Sequence, residues 1–159
     1  MIEAQNQNQE FNIQRIYIED LSLESPGAPE VFLQEWKPEV AIDLDSSAKS
    51  IAEGVYLVVL SVTTTVHSQY DDNSNKKPIF LAEVKQAGIF TAAGFKKEDL
   101  EHLLGSFCPG VLFPYAREVI SSLSIKAGFP PLYLAPINFD AYYAEKKKQI
   151  SKEQETISV

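Results

Sequence analysis

Gly105–Leu123, GSFCPGVLFPYAREVISSL, is the stretch whose reading decides the fold. It opens with turn-formers, Gly105, Pro109 and Gly110, and carries a second proline at Pro114. Leu112, Tyr115, Ala116, Val119, Ile120 and Leu123 then recur at three- and four-residue steps, which predicts a helix with one apolar face. Pro114 belongs in the first turn or kinks the helix, because proline lacks an N–H and crowds the preceding turn. Lys126 and Gly128 read as the C-terminal stop. Such a helix cannot bury its apolar face alone, so it needs a wide apolar surface to lie on.

Four strand-like runs upstream supply that surface. Phe11–Glu24 alternates imperfectly: Phe11 and Ile13 share one parity, Ile16 and Ile18 the other, and Leu21 and Leu23 return to the first. A strand with two phase changes either carries bulges or buries parts of both faces, and the second option implies a subunit contact. In the second run Trp36, Val40, Ile42 and Leu44 alternate with Lys37, Glu39, Asp43 and Asp45, and Pro38 argues for an edge. Val55–Val66 is apolar at both parities, as expected of a central strand. Ile79–Phe90 sets Phe80, Ala82 and Val84 on one face and Leu81, Glu83 and Lys85 on the other. No helix separates these runs, so the sheet is expected to be antiparallel. The predicted class is α+β: a four-stranded antiparallel sheet with helices packed on one face.

The flanking segments complete the plan. Residues 1–10 are Gln/Asn-rich and read as a disordered tail, and Tyr70–Pro78 as a polar hairpin loop. Glu98–Phe107 is expected to be a short helix with Leu100, Leu103, Leu104 and Phe107 on one side. Phe129–Pro136 is too rich in proline for regular structure. Asn138 can cap a last helix beginning at Phe139, with Tyr142 and Tyr143 on its apolar side. From Lys146 the chain turns charged and is expected to fray. Residues 11–145 therefore form one domain, between the 1–10 tail and a charged 146–159 end.

Composition narrows the function. The chain has 159 residues, net charge −8 and a single cysteine. The acidic balance argues against nucleic acid or an anionic membrane as main partner and favours a basic one. The polar N-terminus has neither a basic start nor an apolar block, so a cytoplasmic location is expected. Gly88–Lys96 and Gly105–Gly110 both lack the Gly-Lys-[Ser/Thr] that cradles phosphates, so no nucleotide site is expected. A thiol enzyme built on Cys108 would need His67 or His102 as base, and neither stands at an obvious pairing position. The two histidines also lack metal-ligand spacing.

CPGVLFPYARE at Cys108–Glu118, followed by LAPINFD at Leu134–Asp140, resembles the bacterial protein-export chaperone family SecB. IQRIY at Ile13–Tyr17, the single Trp36 and GIF at Gly88–Phe90 fit the same pattern, so the match runs from about Phe11 to about Tyr143. The resemblance implies an ATP-independent chaperone, without cofactor or metal, that holds unfolded export precursors in apolar grooves. It implies a groove drawn from Trp36, Ile42, Leu44, Phe113 and Phe139. It implies that Asp20, Glu24, Leu81 and Glu83 form a flat acidic patch that docks the basic, zinc-bearing tail of the export motor SecA. It also implies a homotetramer, with Ile16 and Ile18 of the first strand at one contact and Leu103 and Leu104 at another. The alternatives are a SecB-like chaperone for another client, such as a toxin–antitoxin partner, and the Cys108 enzyme.

Overall fold

The computed structural model describes residues 8–69 and 77–157; residues 1–7 and 70–76, most of the expected tail and hairpin loop, lie outside the described residues. Four antiparallel strands, β1 (Glu10–Glu24), β2 (Pro38–Ala52), β3 (Val55–Ser68) and β4 (Phe80–Ala93), form one sheet in the order β1-β4-β3-β2. β3 is internal, and β2 is an edge strand that begins at Pro38, where a missing N–H costs no ladder bond. β1 and β2 sit at opposite edges, so residues 25–37 cross over the end of the sheet. Gly27 touches the backbone of Pro78 and Ile79 on that path, a Cβ there lying 3.3 Å from both.

The phase changes of β1 are bulges. Its pairing with β4 slips between Ile13 and Arg15 and again between Ile18 and Asp20, which leaves Gln14 and Glu19 as the extra residues. Phe11, Ile13, Ile16, Ile18, Leu21 and Leu23 then lie opposite Ala92, Phe90, Gly88, Gln86, Val84 and Ala82. All six share the helix-facing side. The parity switch thus gives no support to burial on both faces.

The helices form one run where two separate helices were expected. α1 (Lys97–His102) passes through a π-spaced turn, Leu103–Phe107, directly into α2 (Cys108–Lys126). Gly105 and Gly110 are inside the run and make no turn. A Cβ on Gly105 would stand 2.5 Å from the Tyr143 ring, so glycine there allows close approach of the last helix, whereas one on Gly110 would stand in ordinary contact, 3.7 Å from the Phe139 ring. Pro109, in the first turn of α2, has no N–H to lose, whereas Pro114 lies within the helix.

α2 packs on β4 and β3. Leu112, Ala116 and Ile120 bury against Val58, Leu60, Val62, Val66, Phe80 and Phe90, all without solvent exposure. The stop is where expected. Phe129 N–H bonds Ser124 O at 3.0 Å and Gly128 N–H bonds Ile125 O at 3.0 Å, with Gly128 at φ +92°, a complete Schellman end. Asn138 Oδ1 accepts from Ala141 N–H at 3.0 Å and caps α3 (Phe139–Ile157). α3 does not fray at Lys146; it stays helical to Ile157.

The proline-rich loop is held by Ser124, a hydroxyl with no exposure. Its Oγ donates toward Ser121 O and Pro130 O and accepts the Leu132 N–H at 3.0 Å. Ser124→Ala strands that buried N–H and is expected to lower unfolding free energy by about 1–3 kcal/mol. Urea unfolding reads this directly; an unchanged midpoint would mean that other contacts hold the loop.

Candidate functional site

α2 covers the two inner strands, and the helix side of both outer strands stays partly open. On β2, Val40 and Ile42 are exposed and Leu44 is half-buried. At one end of this surface an aromatic stack centres on Phe129, whose ring lies 5.0 Å from Phe32, 5.2 Å from Trp36 and 5.1 Å from Phe80. Trp36 is half-buried in this stack and reached from the crossover, not from the strand itself. Leu33 beside it is 92% exposed, and Tyr133 on the proline-rich loop is 80% exposed. Phe113 and Phe139, by contrast, are 4% and 8% exposed. They tilt against each other at 5.6 Å inside the core and offer no surface to a groove, because α2 turns Phe113 inward and the start of α3 sets Phe139 against it.

A second opening lies between β1 and α2. Ile16, Tyr17, Ile18, Pro114, Tyr115 and Val119 wall a cavity of about 400 Å³. Gln86 lies at its base, 3% exposed, and donates its amide to Tyr17 O at 3.1 Å. Its Oε1 has no donor among the described residues. Leu103 and Leu104 pack partly buried against the core, and Leu104 also lines a cleft of about 690 Å³ between α3 and β2.

The opposite face of the sheet has different chemistry. Asp20 stands opposite Lys85, Ser22 opposite Glu83, and Glu24 opposite Leu81. Asp20, Glu24, Leu81 and Glu83 therefore share one face, turned away from the helices. Thr63 lies across from Glu83 and Asp43 across from Thr63, so acid flanks the sheet at both edges. That continuation was not read from sequence, because cross-strand register is not a local signal. Leu33 and Tyr133 were also missed: a lone apolar residue in a loop gives no periodicity to detect.

Where α3 meets the helical run, Asp140 accepts from Ser106 Oγ at 2.6 Å and bonds His102 Nε2 at 2.8 Å. The Ser106 hydroxyl first, and His102 second, hold the Asp140 carboxyl below its usual range. Such a carboxylate stabilises the fold above its unfolded pKa, about 3.9, and loses that contribution as pH falls through the lowered native value. The stability gap between wild type and Asp140→Asn is expected at neutral pH and should close on acidification. Urea midpoints measured across the acid range check this; a gap that persists at the acid end contradicts it.

Cys108 is buried, and burial pushes its thiol up to about 12. It is a poor nucleophile in that state. His102, the nearer candidate base in sequence, is engaged with Asp140. Among the described residues no group of three His, Cys, Asp or Glu could hold a metal. No helix among them is long and apolar enough to cross a membrane.

A sheet backed by one helix, open and apolar on one side and acidic on the other, is the frame of a protein that binds other polypeptides. Comparison with known proteins makes the class specific. The profile described as preprotein translocase subunit SecB matches residues 4–150. The protein-export protein SecB of Legionella pneumophila (strain Corby) is 52% identical, covering 97% of this chain and 94% of its own. Those of Chromohalobacter salexigens and Alcanivorax borkumensis are 49% and 51% identical, covering 96% and 92% of this chain and 90% and 91% of their own. The chain belongs to the SecB family, a family of export chaperones and not of enzymes. Its fold is shared by the SecB-like chaperone of Mycobacterium tuberculosis, solved with a peptide from an antitoxin, at a TM-score of 0.62 and 15% identity over 80% of this chain and 90% of that one.

Proposed function

We propose that the protein works in the cytoplasm as a homotetramer, holding export precursors unfolded and passing them to the SecA motor without nucleotide or metal of its own. The observation that carries this reading is open apolar surface beside a sealed core. Leu33, Phe32, Tyr133, Val40 and Ile42 face water while the core under α2 is closed. Trp36, Ile42 and Leu44 supply the groove floor, and Leu33 and Tyr133 its rim; Phe113 and Phe139 belong to the core and not to the groove. Contacts of this kind are individually weak, but a client reaching several grooves of one assembly gains avidity of about 10²–10⁴-fold.

Asp20, Glu24, Leu81 and Glu83 dock the motor's basic tail, the charges steering it and Leu81 providing an apolar spot. The assembly reading is supported by the uncovered strip of β1, where Ile13, Ile18 and Leu21 are each more than two-fifths exposed. The unmatched Gln86 oxygen beside Ile16 and Ile18 supports it too. Leu103 and Leu104 serve a second contact. Export precursors are favoured over antitoxins as clients, because the export proteins share 52% identity with this chain and the antitoxin-bound chaperone only 15%.

Charge reversal at Asp20, Glu24 or Glu83 is expected to weaken motor binding by about tenfold or more while sparing client holding. Calorimetry with the motor tail and a refolding-delay assay with a denatured precursor separate the two. Equal loss of both, with the oligomer intact by light scattering, would overturn the assignment of the patch. Leu33→Ser and Tyr133→Ser should do the reverse, weakening client holding by about tenfold at unchanged motor affinity. The single Trp36, stacked in the groove, reports occupancy through its fluorescence.

A further inference from the structure

We propose that Lys146 guards the free edge of β2 against strand addition by an extended polypeptide. The inference rests on the client-holding function proposed above and adds to it a control point. Among the described residues β2 pairs only with β3, so its other edge presents unpaired backbone groups. A strand of 15 residues with such an edge is a template for another chain.

The cleft of about 690 Å³ lies along this edge. Ser46 and Ala48 wall it on the strand side; Leu104, Tyr143 and Ile150 wall it on the helical side. Small residues on the strand side leave room for a chain at the strand spacing of about 4.8 Å. Lys146 reaches into this cleft from α3. Its Nζ donates to Ser46 O and pairs with Asp45 Oδ1 at 3.4 Å. In an antiparallel strand every second residue turns both backbone groups to the same edge, so Leu44 and Ala48 present theirs beside Ser46. The lysine thus occupies the middle acceptor of the row with a donor that cannot propagate a ladder.

The chemistry of the cleft selects its occupant. The helical wall is mixed, with Leu104, Tyr143 and Ile150 beside Glu101, Lys147 and Gln154, and withdrawal of Lys146 frees the Asp45 carboxylate at the strand edge. An extended client segment with apolar side chains and one basic residue satisfies both, and its N–H takes over the Ser46 carbonyl.

The test uses the full chain and a fluorescein-labelled peptide of alternating valine and threonine with one lysine. A twin peptide is N-methylated at every second backbone nitrogen, which keeps the side chains and removes the ladder donors. Lys146→Ala is expected to bind the first peptide about two- to tenfold tighter than wild type, the worth of one hydrogen bond, and the twin no tighter. Lys146→Arg, which keeps the donor, should behave as wild type. No gain, an equal gain for the twin, or an oligomer larger than that of wild type would each overturn the proposal. A refolding-delay assay on wild type reports client holding by itself: its failure removes that reading, while the peptide pair still decides the edge guard. Circular dichroism confirms that α3 is intact in both variants.

Discussion

One helix cannot cover a four-stranded sheet. α2 with its side chains is about 10 Å wide, whereas four strands at about 4.8 Å spacing span about 19 Å. The helix lies over β4 and β3, and there every inward residue of β3 from Val58 to Val66 is sealed. The helix-facing sides of β1 and β2 are left over, and both are apolar: Ile13, Ile18 and Leu21 on one, Val40 and Ile42 on the other. A second helix laid on the sheet beside α2 would turn these into core and raise the stability of the single subunit. It would also remove the surface on which a chaperone depends. That only one helix lies on the sheet is thus the source of the open apolar strips on both outer strands.

The bulges in β1 keep the two faces of the sheet chemically separate. Were Gln14 and Glu19 paired in a regular ladder, the strand would turn Ile16 and Ile18 to the acidic side and Arg15 and Tyr17 to the helix side. With them bulged, six apolar residues face α2 and its margins, while Asp20 and Glu24 join Glu83 outside. An acidic face attracts a basic tail at long range, and an apolar groove grips a chain only on contact. Because the two lie on opposite sides of one sheet, a basic partner on one and an apolar chain on the other would not compete for the same residues.

What was legible in the sequence is what short-range chemistry decides. The parity of β1 marked two phase changes, between Ile13 and Ile16 and between Ile18 and Leu21, and left bulges and two-sided burial as alternatives that only the pairing decides; Asn138 announced its cap; Lys126 and Gly128 announced the Schellman end. Gly105 was misread because glycine has two uses, the turn and the close approach, and only the distant Tyr143 selects between them; Gly110 too lies inside the helix and makes no turn. Phe113 and Phe139 were placed in the groove because an aromatic residue near a helix start has no local mark of which way it faces. The continuation of α3 past Lys146 was missed because a charged run reads as solvated tail, and here Lys146 has a partner on a strand about one hundred residues earlier.

The helices differ in how firmly they are held. α2 is fixed by eight buried residues, Ser124 at its end among them. α3 is fixed over its first two turns: by Phe139 in the core, by Asp140 between Ser106 and His102, by Tyr143 on Gly105, and by Lys146 on β2. Beyond Lys147 its residues are exposed. Local opening follows the density of buried contacts, so the segment that borders the β2 cleft is also the one that can leave it at least cost. A polar contact such as that of Lys146 suits such a place. It holds the helix down while nothing else is offered, and it yields to a chain that brings its own hydrogen-bond donor, which an apolar seal would not do.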